Sequence, residues 1–219
     1  VSGMTLWKAY KNIDDPNFDF SGICILATSA LENELRKIFF EEFQEFVKNQ
    51  TGGKINRYPS IFTYRKGTEL VAGKSEYFAL GKMPFLFGQT GKDPSSEDLS
   101  DIKRLNDFRE KYLESIIDSQ KMIDSGFASF SECFTKPFFS KNSELKKEKN
   151  FHVYYKGSLI SEFEDIRNKY RNKSAHQGGL RRDEAHDCCN LVFGSSIMGD
   201  NDLEKVLGLI QKVYYLLKQ

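Results

Sequence analysis

One face of a very long helix can be read between Phe20 and Val47. Apolar residues return at Phe20, Ile23, Cys24, Ala27, Leu31, Leu35, Ile38, Phe39 and Phe46, the spacing of a helical stripe held for many turns. A stripe of that length must be buried against other elements, so it commits much of the chain to helix packing. Asp19 or Ser21, following Pro16, can cap its start, and Gly52-Gly53 ends it.

Other segments repeat the pattern. A short helix is expected from Met4 to Lys11. Asp98 to Ser125 carries Ile102, Leu105, Phe108, Tyr112, Leu113, Ile116, Ile117 and Ile123, opened by the turn-and-cap run "GKDPSSEDLS" and stopped by Gly126. Ser158 to Ala175 has Leu159, Ile160, Phe163, Ile166 and Tyr170 on one face. Helices near Asp183 to Phe193 and Asp202 to Leu217 close the chain. Between them lie two irregular inserts, about 51–81 and 127–157. "FALGKMPFLFG" (Phe78 to Gly88) reads as a short apolar element, and "FHVYYKG" (Phe151 to Gly157) as a short strand. The expected architecture is all-α, an up-and-down helical bundle with two long loop inserts, formed by residues 1–219 as a single domain.

Several function classes are excluded by composition and spacing. A formal net charge of +1 rules out a globally basic nucleic-acid coat, so an anionic partner must be met by a local patch. No apolar run approaches the length of a membrane span, and the N-terminus lacks a secretory layout. Cys24, Cys133, Cys188 and Cys189 show no C-x-x-C spacing and read as reduced thiols of a cytoplasmic protein. Neither zinc-finger spacing nor a Gly-rich phosphate loop is present, so no metal and no cofactor is expected. The opening "VSGM" has the look of a remnant ahead of Met4, as an excised piece of a larger parent protein would show.

The stretch "RNKSAHQGG" (Arg171 to Gly179) carries one of only three histidines in 219 residues. From Arg167 to Arg182 the chain holds Arg167, Lys169, Arg171, Lys173, Arg181 and Arg182 without an acid, a phosphate-attracting run. The bland account is that cations gather at helix C-termini, where they oppose the dipole. Arg171 and His176 lie five residues apart, about 140° around an ideal helix, so they meet only if the helix frays before Gly178-Gly179. R-x4-H spacing alone decides little, because Arg181 and His186 satisfy it too, in "RRDEAH". That second match lacks an asparagine after the arginine and sits mid-helix, so His186 reads as structural or exposed.

"KYRNKSAHQGG" resembles the signature of the HEPN superfamily (higher eukaryotes and prokaryotes nucleotide-binding domains), R-x(4 to 6)-H with a polar residue after the arginine. "SALENELRKIFFEEF" is similar to the first core helix of many such domains, and "FALGKMPFLFG" to a segment of some bacterial members. The resemblance implies a helical bundle that forms a homodimer, with two motifs facing each other in one cleft. In active members it implies metal-independent RNA cleavage, in a toxin regulated by an antitoxin or in an antiviral defence effector. Arg171 would hold the phosphate and stabilise its developing charge, and His176 would move a proton at the 2′ or 5′ oxygen. Asn172 is a supporting candidate that orients the phosphate or imidazole, or else a plain surface amide. Glu34, inside the long stripe, is either a partner for Arg171 or an edge acid reaching water. Some antitoxin-regulated members carry a tyrosine two residues after the histidine. Gly178 stands there, so modification at that position is not expected. The alternative is a non-catalytic module binding RNA, nucleotide or a partner protein.

Overall fold

The computed structural model describes residues 2–15, 17–53, 98–136, 158–176, 179–194 and 207–218, of which 2–4, 98–106 and His176 are described by backbone alone. Described residues form an all-α protein: α1 (Ser2–Tyr10), α2 (Ser21–Arg36), α3 (Glu42–Gln50), α4 (Asp98–Ile116), α5 (Ser119–Asp124), α6 (Glu132–Thr135), α7 (Leu159–Asp165), α8 (Asn172–His176), α9 (Arg182–Phe193) and α10 (Leu209–Leu216). Gly194 and Leu207 make an isolated antiparallel bridge. "FALGKMPFLFG", "FHVYYKG" and most of the two inserts lie outside the described residues. No described helix is long and apolar enough to cross a membrane.

The chain divides into two compact units, Val1–Leu31 with Asp118–Gln219, and Glu32–Ile117. The expected long helix is continuous from Ser21 to Gln50, but its ladder widens to π geometry over Lys37–Glu41. There the Glu42 N–H reaches back five residues to the Lys37 carbonyl. When the ladder returns to four-residue spacing, the Ile38 carbonyl is passed over. The Tyr112 hydroxyl of α4 donates to that carbonyl. Burial is the main cause that raises the Tyr112 pKa, as expected for a phenol kept protonated to donate. The wide turn also buries three successive residues, Ile38, Phe39 and Phe40. Gly52 and Gly53, at φ 60° and 80°, end α3 with the reversed backbone that glycine adopts most cheaply.

Three expectations need correction. The helix from Asp98 to Ser125 is two helices, broken at Ile117-Asp118. Asp118 is extended (ψ 115°) and its carboxylate accepts the Gln120 and Lys121 N–H groups, the capping alternative that makes aspartate a poor interior helix residue. The region after Phe127 is not wholly irregular, since α6 forms and buries Cys133 and Phe134. The last helix starts at Leu209, because Gly208 passes against the end of α9. A Cβ on Gly208 would lie 2.4 Å from the Gly194 nitrogen and the Phe193 carbonyl carbon, so no other residue fits there without backbone movement.

In the first unit, Ile160, Phe163 and Ile166 pack with Cys24, Ala27, Leu180, Cys188, Val192 and Leu209 among its buried residues. One ion pair is enclosed there. Lys212 Nζ lies 2.7 Å from Glu162 Oε2, with the two side chains 3% and 15% exposed. Burial raises the Glu162 pKa and lowers that of Lys212, each opposed by the other partner's charge. Lys212→Met strands the carboxylate and is expected to destabilise the protein by about 3–5 kcal/mol, while the double change Glu162→Leu/Lys212→Met recovers most of that loss. Urea unfolding of the three proteins checks it.

Candidate functional site

The motif helix starts at Ser158, whose hydroxyl accepts the Ser161 N–H at 3.1 Å. Leu159, Ile160 and Phe163 bury its first turns. The ladder then widens to π geometry over Ile166–Arg171, with the Asn172 N–H bonded to the Arg167 carbonyl. Here the passed-over carbonyl is that of Asn168, an exposed residue, so water can take it. Within this wide turn Tyr170 is half-buried, and its phenol is pushed up to about 12, first by burial and then by Asp187, Cys188 and Cys24. Arg171, Asn172 and Ser174 are half-buried on the turns that follow.

The helix is described as far as His176. Its imidazole and the pair Gln177-Gly178 lie outside the described residues. With α geometry from Asn172 onward, the Arg171 and His176 Cα–Cβ directions stay about 140° apart. Further on, the chain is pinned. The Leu180 N–H donates to Asp19 Oδ1 and to Ser21 Oγ, both at 3.1 Å, and its carbonyl accepts the Phe20 N–H at 3.0 Å. The Leu180 side chain is 1% exposed. Asp19 also accepts the Ser21 N–H at 2.8 Å, so one carboxylate caps α2 and holds the end of the motif segment. Gly179 passes so close that a Cβ there would meet Asp19 Oδ1 at 3.1 Å.

The basic run is less positive than its residue list. Lys169 pairs with Asp165 at 3.0 Å, and Lys173 with Glu184 of α9. Arg181 lies 3.3 Å from Asp183 and 3.8 Å from Glu184, whose carboxylate also accepts the Arg181 N–H at 3.0 Å. Arg167 donates to the Asn168 side chain. Acids just outside the counted window therefore neutralise half of it. Arg182 is exposed and has no ion pair among the described residues. Glu34 is half-buried on α2, within the unit Glu32–Ile117.

His186, read from "RRDEAH" as structural or exposed, takes a structural place. It stands half-buried on α9, its ring 5.2 Å from that of Trp7, with the Asn190 amide nitrogen 3.3 Å from Nε2. Trp7, His186, Arg181 and Arg182 all line one cleft. The only sequence signal for it was the repeated R-x4-H spacing in "RRDEAH"; the stacking partner comes from a segment 179 residues away, 186 minus 7.

Cys133, Cys188 and Cys189 offer no thiolate chemistry at neutral pH. All four cysteines are free and buried. The Cys188 thiol is raised by its hydrogen bond with Cys24 and by burial, while burial pushes Cys133 and Cys189 to about 12. Protonated thiols of this kind are neither nucleophiles nor metal ligands. Among the described residues no group of His, Cys, Asp and Glu could hold a metal ion. Comparison with family models, with curated proteins and with solved structures gives no match to this chain.

Asp19 is held below the usual carboxylate range, chiefly by its hydrogen bonds with Ser21, and Glu184 by those with the Arg181 N–H and Lys173. A carboxylate with a depressed folded pKa stabilises above its ordinary pKa, and that stability is lost as pH falls through the folded value. Stability is therefore expected to drop below about pH 4. Asp19→Asn keeps an acceptor but no longer titrates, so it should flatten part of that acid dependence in urea midpoints measured from neutral to acid pH.

Proposed function

We infer that this chain is a metal-independent endoribonuclease of the HEPN type, with Arg171 and His176 as its catalytic pair. One observation supports the reading: Arg171 and the backbone of His176 lie on one helical run, and Leu180, four residues on, is pinned by Asp19 and Ser21. The segment that carries the pair is thereby anchored to the start of α2.

In this reading the ribose 2′ oxygen attacks the adjacent phosphorus while a histidine takes its proton. The bond to the 5′ oxygen breaks, and a second histidine supplies that oxygen with a proton. A cyclic 2′,3′-phosphate and a free 5′ hydroxyl result, with no water consumed in this step. Arg171 holds the phosphate oxygens in its planar fork and stabilises the charge that builds on them. Each chain contributes one such histidine, so the reaction needs two copies meeting across a two-fold axis. Arg167 and Asn172 would position the strand. A cytoplasmic toxin or defence effector is the setting such an activity suits.

The ion pairs of Lys169, Lys173 and Arg181 favour a second reading, a non-catalytic module that binds RNA, nucleotide or a partner protein. Incubation with single-stranded RNA in excess chelator separates the two. Cleavage is expected, with 2′,3′-cyclic phosphate ends, and Arg171→Ala or His176→Ala should each slow it by about a hundredfold or more. An unchanged rate in either variant sinks the assignment, and binding without cleavage selects the second reading.

A further inference from the structure

The first unit contains a cleft of ≈ 930 Å³ between α1, the connection to α2, and the start of α9. That is the size of a small-molecule site. Its polar groups are not used up by the protein. Lys11, Asp14 and Arg182 line it and make no ion pair among the described residues, whereas Asp15 turns back to accept the Asn17 N–H at 2.8 Å. Its apolar walls are rings. Trp7, 4% exposed, packs on His186, and the half-buried Phe18 meets Phe20 edge to face at 4.7 Å. The Trp7 indole N–H is buried and has no acceptor among the described residues.

Two cations without an ion pair among the described residues call for an anion. Asp14 calls for a hydroxyl or amine donor. Ring walls suit a flat heterocycle. An acidic side chain of a peptide would satisfy Lys11 and Arg182 but bring no ring to the walls. We propose that this cleft binds a nucleoside 5′-phosphate unit, either as a free nucleotide or as one residue of a single RNA strand. Lys11 and Arg182 hold the phosphate, Asp14 the ribose hydroxyls, and the Trp7–His186 and Phe18 surfaces the base. Neither Arg171 nor His176 is among the residues that line this cleft.

Trp7 is the chain's single tryptophan, so its fluorescence reports on this cleft alone. Titration with AMP is expected to quench it saturably. Lys11→Ala and Arg182→Ala, both changes at side chains without a described ion pair, should each weaken binding by about tenfold or more with the helical circular dichroism unchanged. Adenosine should bind at least about tenfold more weakly than AMP for want of its phosphate. His176→Ala protein should titrate like the unaltered chain, which keeps this test apart from that of the nuclease. A short RNA strand added to the same variant names the source: tighter than AMP means an RNA residue, weaker means a free nucleotide. The proposal is overturned if neither probe quenches up to millimolar concentration. It is equally overturned if both alanine variants bind as before, or if inorganic phosphate competes as well as AMP.

Discussion

The hold that Asp19 and Ser21 keep on Leu180 is the constraint on which the rest of the first unit depends. Three hydrogen bonds join the start of α2 to the segment between α8 and α9. Residues far apart in sequence are thereby fixed in register, and the Leu180 side chain is sealed inside. Everything that follows in space inherits this placement. α9 has a defined start. The cleft against α1 exists because Arg181 and Arg182 follow directly from the pinned residue.

That hold also explains why the charge of the region cannot be read by counting. A window of sequence sees six cations from Arg167 to Arg182 and no acid. The fold sees Glu184 turned back toward Lys173 and Arg181, because one helical turn beyond the pinned segment brings its carboxylate there. Lys169 is met by Asp165 one turn earlier. Paired in this way the run is not one field of charge, which is why the neighbourhood of each arginine matters more than their number.

Much of the fold was legible in the residues. The stripe from Phe20 to Val47 becomes one unbroken helical run, Gly52-Gly53 and Gly126 end helices at positive φ, and Ser158 caps α7. These features are local, and local chemistry determines them. The break at Asp118 was missed because periodicity carried on through it, although aspartate followed by serine is a cap signal in its own right. The start of α10 was missed because it is decided by Gly208 pressing on a distant backbone. At the candidate site, the helix that carries Arg171 followed from the apolar face of Ser158 to Ala175. The His186–Trp7 stack did not, since it joins two segments that no spacing rule connects.

Both wide turns carry one residue more than an α ladder of the same span requires. Ile166–Arg171 is thus a place where one residue can be gained or lost without turning the helix beyond it to a new face. Related chains that lack the surplus residue would keep the same buried sides before and after it, while their arginine would sit at a different height along the axis. The distance from the core to the guanidinium can then change by single residues, with the hydrophobic stripe left as it was.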